Sequence, residues 1–268
     1  DIGTPNDIAD NCKSVVWGHA GARLDGFVVT GGNADTPQGD SADEKDSLGG
    51  GIYEQRNGTI PQSADTAFLV EHCTVSNNRA YTGSAASGGL LRNTLLVDNH
   101  AYQMAAAQFS RLESCTVANN TAGQSPVAGL FNSAAANSIF WNSASFWASE
   151  CTTSCEWPVN PFSPMPTGFG NLTADPLFVN VAAGDFRLPP GSPCVDTGAA
   201  AAWMATATDL DGRKRLWGAA SDMGAYEYQV SLAPYAIAAA LPAGGGFSVA
   251  VATETGWTYI LRYKNALS

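Results

Sequence analysis

The stretch EHCTVSNN, from Glu71 to Asn78, decides the fold of this chain, because its pattern returns three times at nearly constant spacing. The related stretches are RNTLLVDN (92–99), ESCTVANN (113–120) and the shorter NSIFWN (137–142). The asparagines that close the four copies are Asn78, Asn99, Asn120 and Asn142, so the period is 21, 21 and 22 residues. Repetition at such a period is typical of a solenoid, in which each unit buries its apolar face against its neighbours.

The composition of the repeat indicates strands. The units are short, rich in Thr, Val and Asn, and separated by glycines, which favours β-strands over pairs of helices. LDGFVVTGG (24–32) also matches the repeat, and two insertions, 33–48 and 57–66, account for its distance from the next copy without a missing coil. We therefore predict an all-β fold, a parallel β-helix in which each repeat forms one coil. Its inward column would consist of Val29, Val75, Leu96, Val117 and Ile139.

The closing asparagines predict a structural ladder. An asparagine tolerates a left-handed turn, and its amide can hydrogen-bond the next copy in the stack, as in polar ladders of stacked strands. We assign this column no chemistry.

The length and net charge of the chain restrict the class of protein. The chain has 268 residues, a formal net charge of −11 and a pI near 4.5, which argues against a nucleic-acid partner because no basic stripe can neutralise phosphates. No apolar run reaches membrane-spanning length. We expect one large domain over 1–228. Residues 229–268 alternate as strands do and are expected to form a small β module or the start of a following domain.

Six cysteines are present, and we expect two of them to pair. Cys73 and Cys115 share a repeat position two coils apart, about 10 Å, which is too far for a disulfide, so we interpret them as buried thiols. Cys151 and Cys155, in Cys-Thr-Thr-Ser-Cys, are predicted to form a disulfide, which would place the protein outside the cytoplasm. A zinc pair is less favoured because no second Cys/His pair follows. The pairing of Cys12 and Cys194 stays open.

The region after the repeats resembles a known family. Its stretches are DPLFV (175–179), GSPCVDTG (191–198), TDLDGR (208–213) and DMGAYEY (222–228). Together with GGGIY (49–53) and the repeats, they resemble bacterial secreted right-handed parallel β-helix proteins, the pectate-lyase-like group called choice-of-anchor Q. The resemblance covers roughly residues 20 to 228. It implies a right-handed single-stranded β-helix that is secreted or held at the cell surface, and it implies no particular activity, because the fold hosts lyases, hydrolases, epimerases, adhesins and inert scaffolds.

A row of polar and aromatic residues beside the asparagine column is the first candidate ligand site. Its members are Arg79, Tyr81, Asp98, His100 and Tyr102. The pairs 79/100 and 81/102 are one period apart, so each should present side chains about 5 Å apart. Stacked tyrosines offer sugar rings a flat platform, and an arginine offers a fork for a carboxylate. A lyase would use the same side-chain types as cation, base and acid, although similar residues also stack for packing alone.

A second column, at the start of the same strand in successive coils, carries charge. Its members are Asp25, Glu71, Arg92 and Glu113. We favour a salt-bridged ladder that fixes the register, each pair contributing about 0.2–1 kcal/mol. The alternative is a carboxylate pair around Arg92 that binds a sugar acid or serves as acid and base.

The first insertion is acidic. Its carboxylates are Asp35, Asp40, Asp43, Glu44 and Asp46. They are weak candidates for a calcium site, and a solvated loop is favoured because their spacing matches no ordered ligand loop. We expect no other cofactor, since the chain has no phosphate loop, nucleophile elbow or HExxH motif.

The functional expectation is a secreted or surface-attached β-helix that presents a loop-decorated face to a polysaccharide or another cell-surface component, without catalysis. The alternative is a polysaccharide lyase or glycoside hydrolase that acts on an acidic glycan. Long loops on one side of a solenoid are where binding usually occurs.

Overall fold

The computed structural model describes residues 12–35, 47–56, 58–104, 106–124, 129–143, 146–159, 161, 164–229, 238–240 and 248–250, the last two ranges by their backbone alone. The chain separates into two compact units, Asp1–Tyr228 and Gln229–Ser268. The described residues contain many short strands and three short 3-10 helices, Ala64–Thr66, Val181–Ala183 and Ala202–Ala205, and no α-helix.

The described residues of the first unit form six successive coils. Coil 1 holds β1 (Val16–Gly18), β2 (Arg23–Asp25), β3 (Val28–Thr30) and β4 (Asn33–Ala34). Coil 2 holds β5 (Ile52–Glu54), β6 (Leu69–Glu71), β7 (Thr74–Ser76) and β8 (Arg79–Thr82). Coil 3 holds β9 (Ala86–Ser87), β10 (Leu90–Arg92), β11 (Leu95–Val97) and β12 (His100–Met104). Coil 4 holds β13 (Ala107–Gln108), β14 (Arg111–Glu113), β15 (Thr116–Ala118) and β16 (Thr121–Ala122). Coil 5 holds β17 (Leu130–Phe131), β18 (Ala134–Ala136) and β19 (Ile139–Trp141), and coil 6 holds β20 (Phe146–Trp147), β21 (Glu150–Thr152) and β22 (Cys155–Trp157).

Equivalent strands of successive coils stack into parallel sheets. Sheets A, B and C contain the first, second and third strands of all six coils, and sheet D contains β4, β8, β12 and β16. Each strand pairs in parallel with its counterpart one coil away, for example β7 with β3 and β11. The predicted all-β parallel β-helix is therefore confirmed. The direct pairing of β3 with β7 also confirms that no coil is missing between them, although residues 36–46 of the acidic insertion lie outside the described part.

The inward column of sheet C is confirmed for its first four members and wrong for its fifth. Val29, Val75, Leu96 and Val117 pair in sequence and are buried. Val117 pairs with Phe140, however, and Ile139 pairs with Thr116. A shift of one residue moves a side chain to the opposite face of a sheet, so Phe140 enters the core and Ile139 points outward.

The asparagine ladder exists, but Asn142 is not part of it. The amide N–H of Asn78 donates to Asn99 Oδ1 at 3.0 Å, and that of Asn99 donates to Asn120 Oδ1 at 2.9 Å. The next acceptor is Ser143 Oγ, 2.6 Å from the Asn120 nitrogen. Asn142 adopts a left-handed corner conformation (φ 48°) and bonds the equivalent Asn119, because the coil after Asn120 is longer than the regular period.

The predicted disulfide between Cys151 and Cys155 is wrong. All six cysteines are free thiols in the structure. Cys151 lies in sheet B with its side chain in the coil interior, whereas Cys155 lies beyond a corner, in sheet C, and contributes to a separate apolar cluster. The pair therefore lies on different walls of the coil, with the side chains in different clusters. Cys73 and Cys115 are buried free thiols, as predicted.

Residues 172–228, here called the C-terminal cover, pack on the outer face of sheet C. Phe186 packs with Leu95 and Val97, and the N–H of Ala225 donates to Thr116 Oγ1 at 3.0 Å. The cover contains a fully buried charged cluster. Its members are Asp209, Arg215, Asp222 and Glu227.

The second unit is described by two strands. β23 (Ala238–Ala240) and β24 (Ser248–Ala250) pair as an antiparallel hairpin. A further strand expected at 257–263 lies outside the described residues. In the part of the chain that the structure describes, no helix has the length and hydropathy needed to cross a membrane.

Candidate functional site

The strongest candidate is an exposed tyrosine pair on the outer face of sheet D. The rings of Tyr81 and Tyr102 stack with centroids 5.4 Å apart and an angle of 24° between their planes. Tyr102 is 42% exposed and Tyr81 is half-buried, so solvent reaches the pair mainly at Tyr102. Strands of this sheet alternate, and Ala80 and Ala101 fill the interior between the outward residues. The one-period spacing of the sequence therefore produces the ring stack that it predicts.

A basic pair lies beside the rings. Arg79 and His100 are direct partners on β8 and β12, and the Arg79 side chain is 41% exposed. The Nε atom of Arg79 lies 3.7 Å from Asp35 Oδ2. Burial of the ring lowers the pKa of His100, Arg79 lowers it further, and Asp35 partly opposes the shift. His100 is therefore biased toward its neutral form, in which a ring nitrogen can accept a proton.

An irregularity in β12 positions the outer tyrosine. The pairing with β8 shifts between Ala101 and Met104, which is a β-bulge. The Tyr102 hydroxyl accepts a hydrogen bond from Gln124 Nε2 at 2.8 Å, and the Tyr102 carbonyl accepts one from the Gln124 N–H at 3.0 Å. Bulges commonly re-aim side chains beside functional sites. We call the set Arg79, Tyr81, His100 and Tyr102 the tyrosine platform.

Asp98, the remaining predicted site residue, belongs to a different depression. It occupies a left-handed corner (φ 55°) between sheets C and D. Its side chain lines a groove of about 590 Å³ between sheet C and the cover, together with Trp141, Phe186 and Tyr226. The structure thus brings four of the five predicted residues together and places Asp98 at the edge of a neighbouring groove.

The second candidate column forms on sheet B in the expected register. Asp25, Glu71, Arg92 and Glu113 are paired in that order. Arg92 Nε binds Glu113 Oε2 at 2.8 Å, and one nitrogen of Arg23 binds both Asp25 at 2.7 Å and Glu71 at 3.0 Å. The contacts Arg23–Glu71 and Arg92–Glu113 are ion pairs between neighbouring coils, which supports the salt-bridged ladder.

The cover adds residues to this column and turns it into a groove of about 560 Å³. The guanidinium of Arg92 lies 4.6 Å from the centre of the Trp203 ring. His72 bridges the column and the cover, with Nδ1 at 2.7 Å from Asp25 Oδ1 and Nε2 at 3.0 Å from the Thr208 carbonyl. Burial raises the pKa of Asp25, but the hydrogen bonds and charges of His72 and Arg23 together outweigh it, so the pKa of Asp25 is lowered. These contacts hold the cover to the coil.

The acidic residues of the cover serve its internal structure. Burial raises the pKa of Glu227 to about 8 and that of Asp222 to about 6, and Arg215 opposes both shifts. Each carboxylate accepts backbone N–H groups. Glu227 accepts the N–H of Asp222, and Asp222 accepts the N–H of Asp196. Shifted carboxyl pKa values often mark active sites, but this cluster is fully buried and has no solvent access.

The weak calcium candidates are largely outside the described residues. Asp40, Asp43, Glu44 and Asp46 fall in that part of the chain, and Asp35 is engaged with Arg79. Among the described residues, no three His, Cys, Asp or Glu side chains are grouped so that they could hold a metal ion.

Three contributors were missed from the sequence. Thr121, whose hydroxyl lies 2.8 Å from His100 Nδ1, follows His100 by one period, and Gln124 follows Tyr102 by nearly one. Continuing the column of polar residues from His100 and Tyr102 into the next coil would have identified both. Trp203 has no such signal, because the cover does not repeat.

Comparison with known proteins adds no relative. No protein-family model matches the chain, and no curated protein and no solved structure was found to match it.

Proposed function

We propose that the β-helix is a carbohydrate-binding domain of the cell exterior, and that the tyrosine platform holds the sugar rings. The observation that carries the proposal is the stacked, solvent-accessible pair Tyr81 and Tyr102. Aromatic rings with a polar hydroxyl present an apolar face and a hydrogen-bonding edge, which is the combination that a sugar ring needs. The resemblance to secreted choice-of-anchor Q β-helix proteins supports the location. The expected disulfide no longer does, because Cys151 and Cys155 do not pair.

The charges favour a neutral or sparsely charged glycan over a dense polyanion. The chain carries a net charge of −11, and Arg79, which lies next to Tyr81 on β8, already faces Asp35. At physiological ionic strength the distant charges are screened within about 8 Å, so this local pair decides the selectivity. A single carboxylate or sulfate could still bind the exposed guanidinium of Arg79 in place of Asp35.

A glycan array tests the binding proposal. The array should include neutral polysaccharides, pectins, alginates and glycosaminoglycans, and the affinity for any positive glycan should then be measured by calorimetry. Tyr102→Ala should weaken the affinity roughly tenfold, about 1.4 kcal/mol, because it removes one of the two stacked rings. The thermal midpoint should hardly change, since the side chain is partly exposed.

The matched control is Phe169→Ala, which truncates an aromatic side chain that is 89% exposed and lies outside sheet D. It should leave the affinity unchanged. Equal affinities for the two variants, or no binding to any glycan, would contradict the proposal.

A second candidate is a lyase reaction on an acidic glycan, and the lowered pKa of His100 favours it. In this scheme Arg79 neutralises a uronate carboxylate, neutral His100 removes the adjacent proton, and the Tyr102 hydroxyl protonates the leaving oxygen. Turnover would appear as ultraviolet absorbance from unsaturated chain ends, and His100→Ala or Tyr102→Phe would abolish it. Binding without such absorbance leaves carbohydrate binding as the function.

A further inference from the structure

Two thiols meet where the last coil contacts the cover. Cys155 opens β22, and Cys194 lies in the cover, far along the chain. Both side chains are 0% exposed and share one apolar cluster with Ile139 and Met223. The two thiols therefore pack in the same small cluster, and each shifts the pKa of the other. Cys73, Cys115 and Cys151 differ, because they pack in the core of the coils.

Backbone contacts hold each thiol in place. Cys155 pairs with Ile139 on sheet C, and its Sγ donates to the Ala174 carbonyl at 3.1 Å. On the other side, the carbonyl of Cys194 accepts a hydrogen bond from the Met223 N–H at 3.0 Å. The meeting of the sulfur atoms therefore follows from the docking of the cover on sheet C.

We propose that Cys155 and Cys194 are a disulfide-forming pair that links the cover to the last coil when the protein folds in an oxidising environment. The Cys155–Cys194 bond would join the last coil to the cover, whereas the bond expected from the sequence, Cys151–Cys155, would lie within the last coil. It does not depend on carbohydrate binding, because neither residue lies on sheet D.

The oxidant is a disulfide, either a small molecule or a protein, and the exchange balances. The Cys155 thiolate attacks one sulfur of the donor and releases the other as a thiol, which forms a mixed disulfide. The Cys194 thiolate then attacks the Cys155 sulfur and releases the second donor thiol. Two electrons and two protons pass from the pair to the donor.

In the docked protein the two thiols of this pair differ in acidity. The contact with Cys194 lowers the pKa of Cys155 against the effect of burial, and the contact with Cys155, together with burial, raises the pKa of Cys194. Burial raises the pKa of Cys115 and of Cys151 to about 12, which keeps them protonated and inert. Since both sulfur atoms are buried after docking, the mixed disulfide forms while the cover is still undocked. Docking then brings the second thiol to it and protects the completed bond.

Peptide mapping of the full chain tests the pairing. The protein is refolded with a mixture of reduced and oxidised glutathione, free thiols are alkylated under denaturing conditions, and a digest is analysed without reduction. We expect one linked peptide pair that contains Cys155 and Cys194, with the core cysteines Cys73, Cys115 and Cys151 alkylated. Linkage of Cys155 to any other cysteine, or alkylation of both Cys155 and Cys194, would overturn the proposal.

A thermal measurement on the same samples gives a second readout. The linkage closes a loop of about 40 residues, which should raise the unfolding midpoint by roughly 5–15 °C over the reduced protein. The double variant C155A/C194A should lose this difference between oxidised and reduced samples. Cys151→Ala should retain both the linked peptides and the shift, and loss of either in this control would count against the pairing.

Discussion

The coils and the C-terminal cover satisfy their buried polar groups in opposite ways. In the coils, neutral asparagines repeat, and each one accepts an amide N–H from the previous coil while donating to nearby carbonyls. In the cover, buried carboxylates accept the backbone N–H groups instead. Asp209 and Asp222 each accept N–H groups from several turns, and both lie near the buried guanidinium of Arg215. A stack of copies can use a neutral group that both donates and accepts, whereas an irregular segment has no copy to bond and relies on charge.

The difference has an energetic consequence. A ladder of neutral amides carries little desolvation cost per step, because each group is paired with an identical neighbour. The cover buries Asp209, Asp222 and Glu227 around Arg215, so its stability depends on that cation and on the protonation of its neighbours. The coils should therefore tolerate changes of pH and charge that open the cover.

The largest expected effect is loss of the buried cation. Arg215→Ala should destabilise the protein by about 3–5 kcal/mol, because it leaves buried carboxylates without a counter-charge. Chemical denaturation with separate probes for the coils and the cover would show the cover unfolding first. Arg213→Ala, at a side chain that is 43% exposed, is the control and should change the unfolding free energy by less than about 0.5 kcal/mol. A similar loss in both variants would contradict the role of the cluster.

The pH dependence of stability gives the next effect. The folded pKa of Glu227 is raised from 4.5 to about 8, so the folded state binds more protons than the unfolded state between these values. Stability is then fully present below about pH 4.5 and falls as the pH rises toward 8, by roughly 2–4 kcal/mol. Asp222, raised from 3.8 to about 6, acts in the same direction at lower pH.

Unfolding measured from pH 5 to 9 tests this slope. Glu227→Gln removes the titrating group and should flatten the dependence, while the wild-type chain loses stability. If the variant and the wild type show the same slope, the surface charge of the whole chain, and not the cluster, sets the pH dependence.

The smallest expected effect is the difference in stability between a variant in the asparagine ladder and a variant at the corner residue Asn142. Asn99→Ala should cost about 2–3 kcal/mol, because the buried N–H of Asn78 loses its acceptor. Asn142→Gly removes an exposed amide at a corner whose φ of 48° glycine accepts, and should cost less than about 0.5 kcal/mol. Equal unfolding free energies for the two variants would restore Asn142 to the ladder.

The repeat predicts the coils well wherever its length is constant. Val29, Val75, Leu96 and Val117 are in the predicted column, and the tyrosine pair stacks one period apart. The prediction fails for Ile139 and Asn142, which follow the longer coil. A worn copy with period 22 can be aligned in two registers, and only the strand pairing shows that Phe140 takes the inward position.

The sequence by itself determined the parallel β-helix, the asparagine ladder between Asn78 and Asn120, and the tyrosine platform, because all of these follow from identical spacing along the chain. Only the tertiary structure decided the arrangement of the cover on sheet C. It brings Trp203 to Arg92 and Cys194 to Cys155, and it buries four charges together. These contacts join residues that share no period, so their positions depend on how the whole segment docks, which local patterns do not encode.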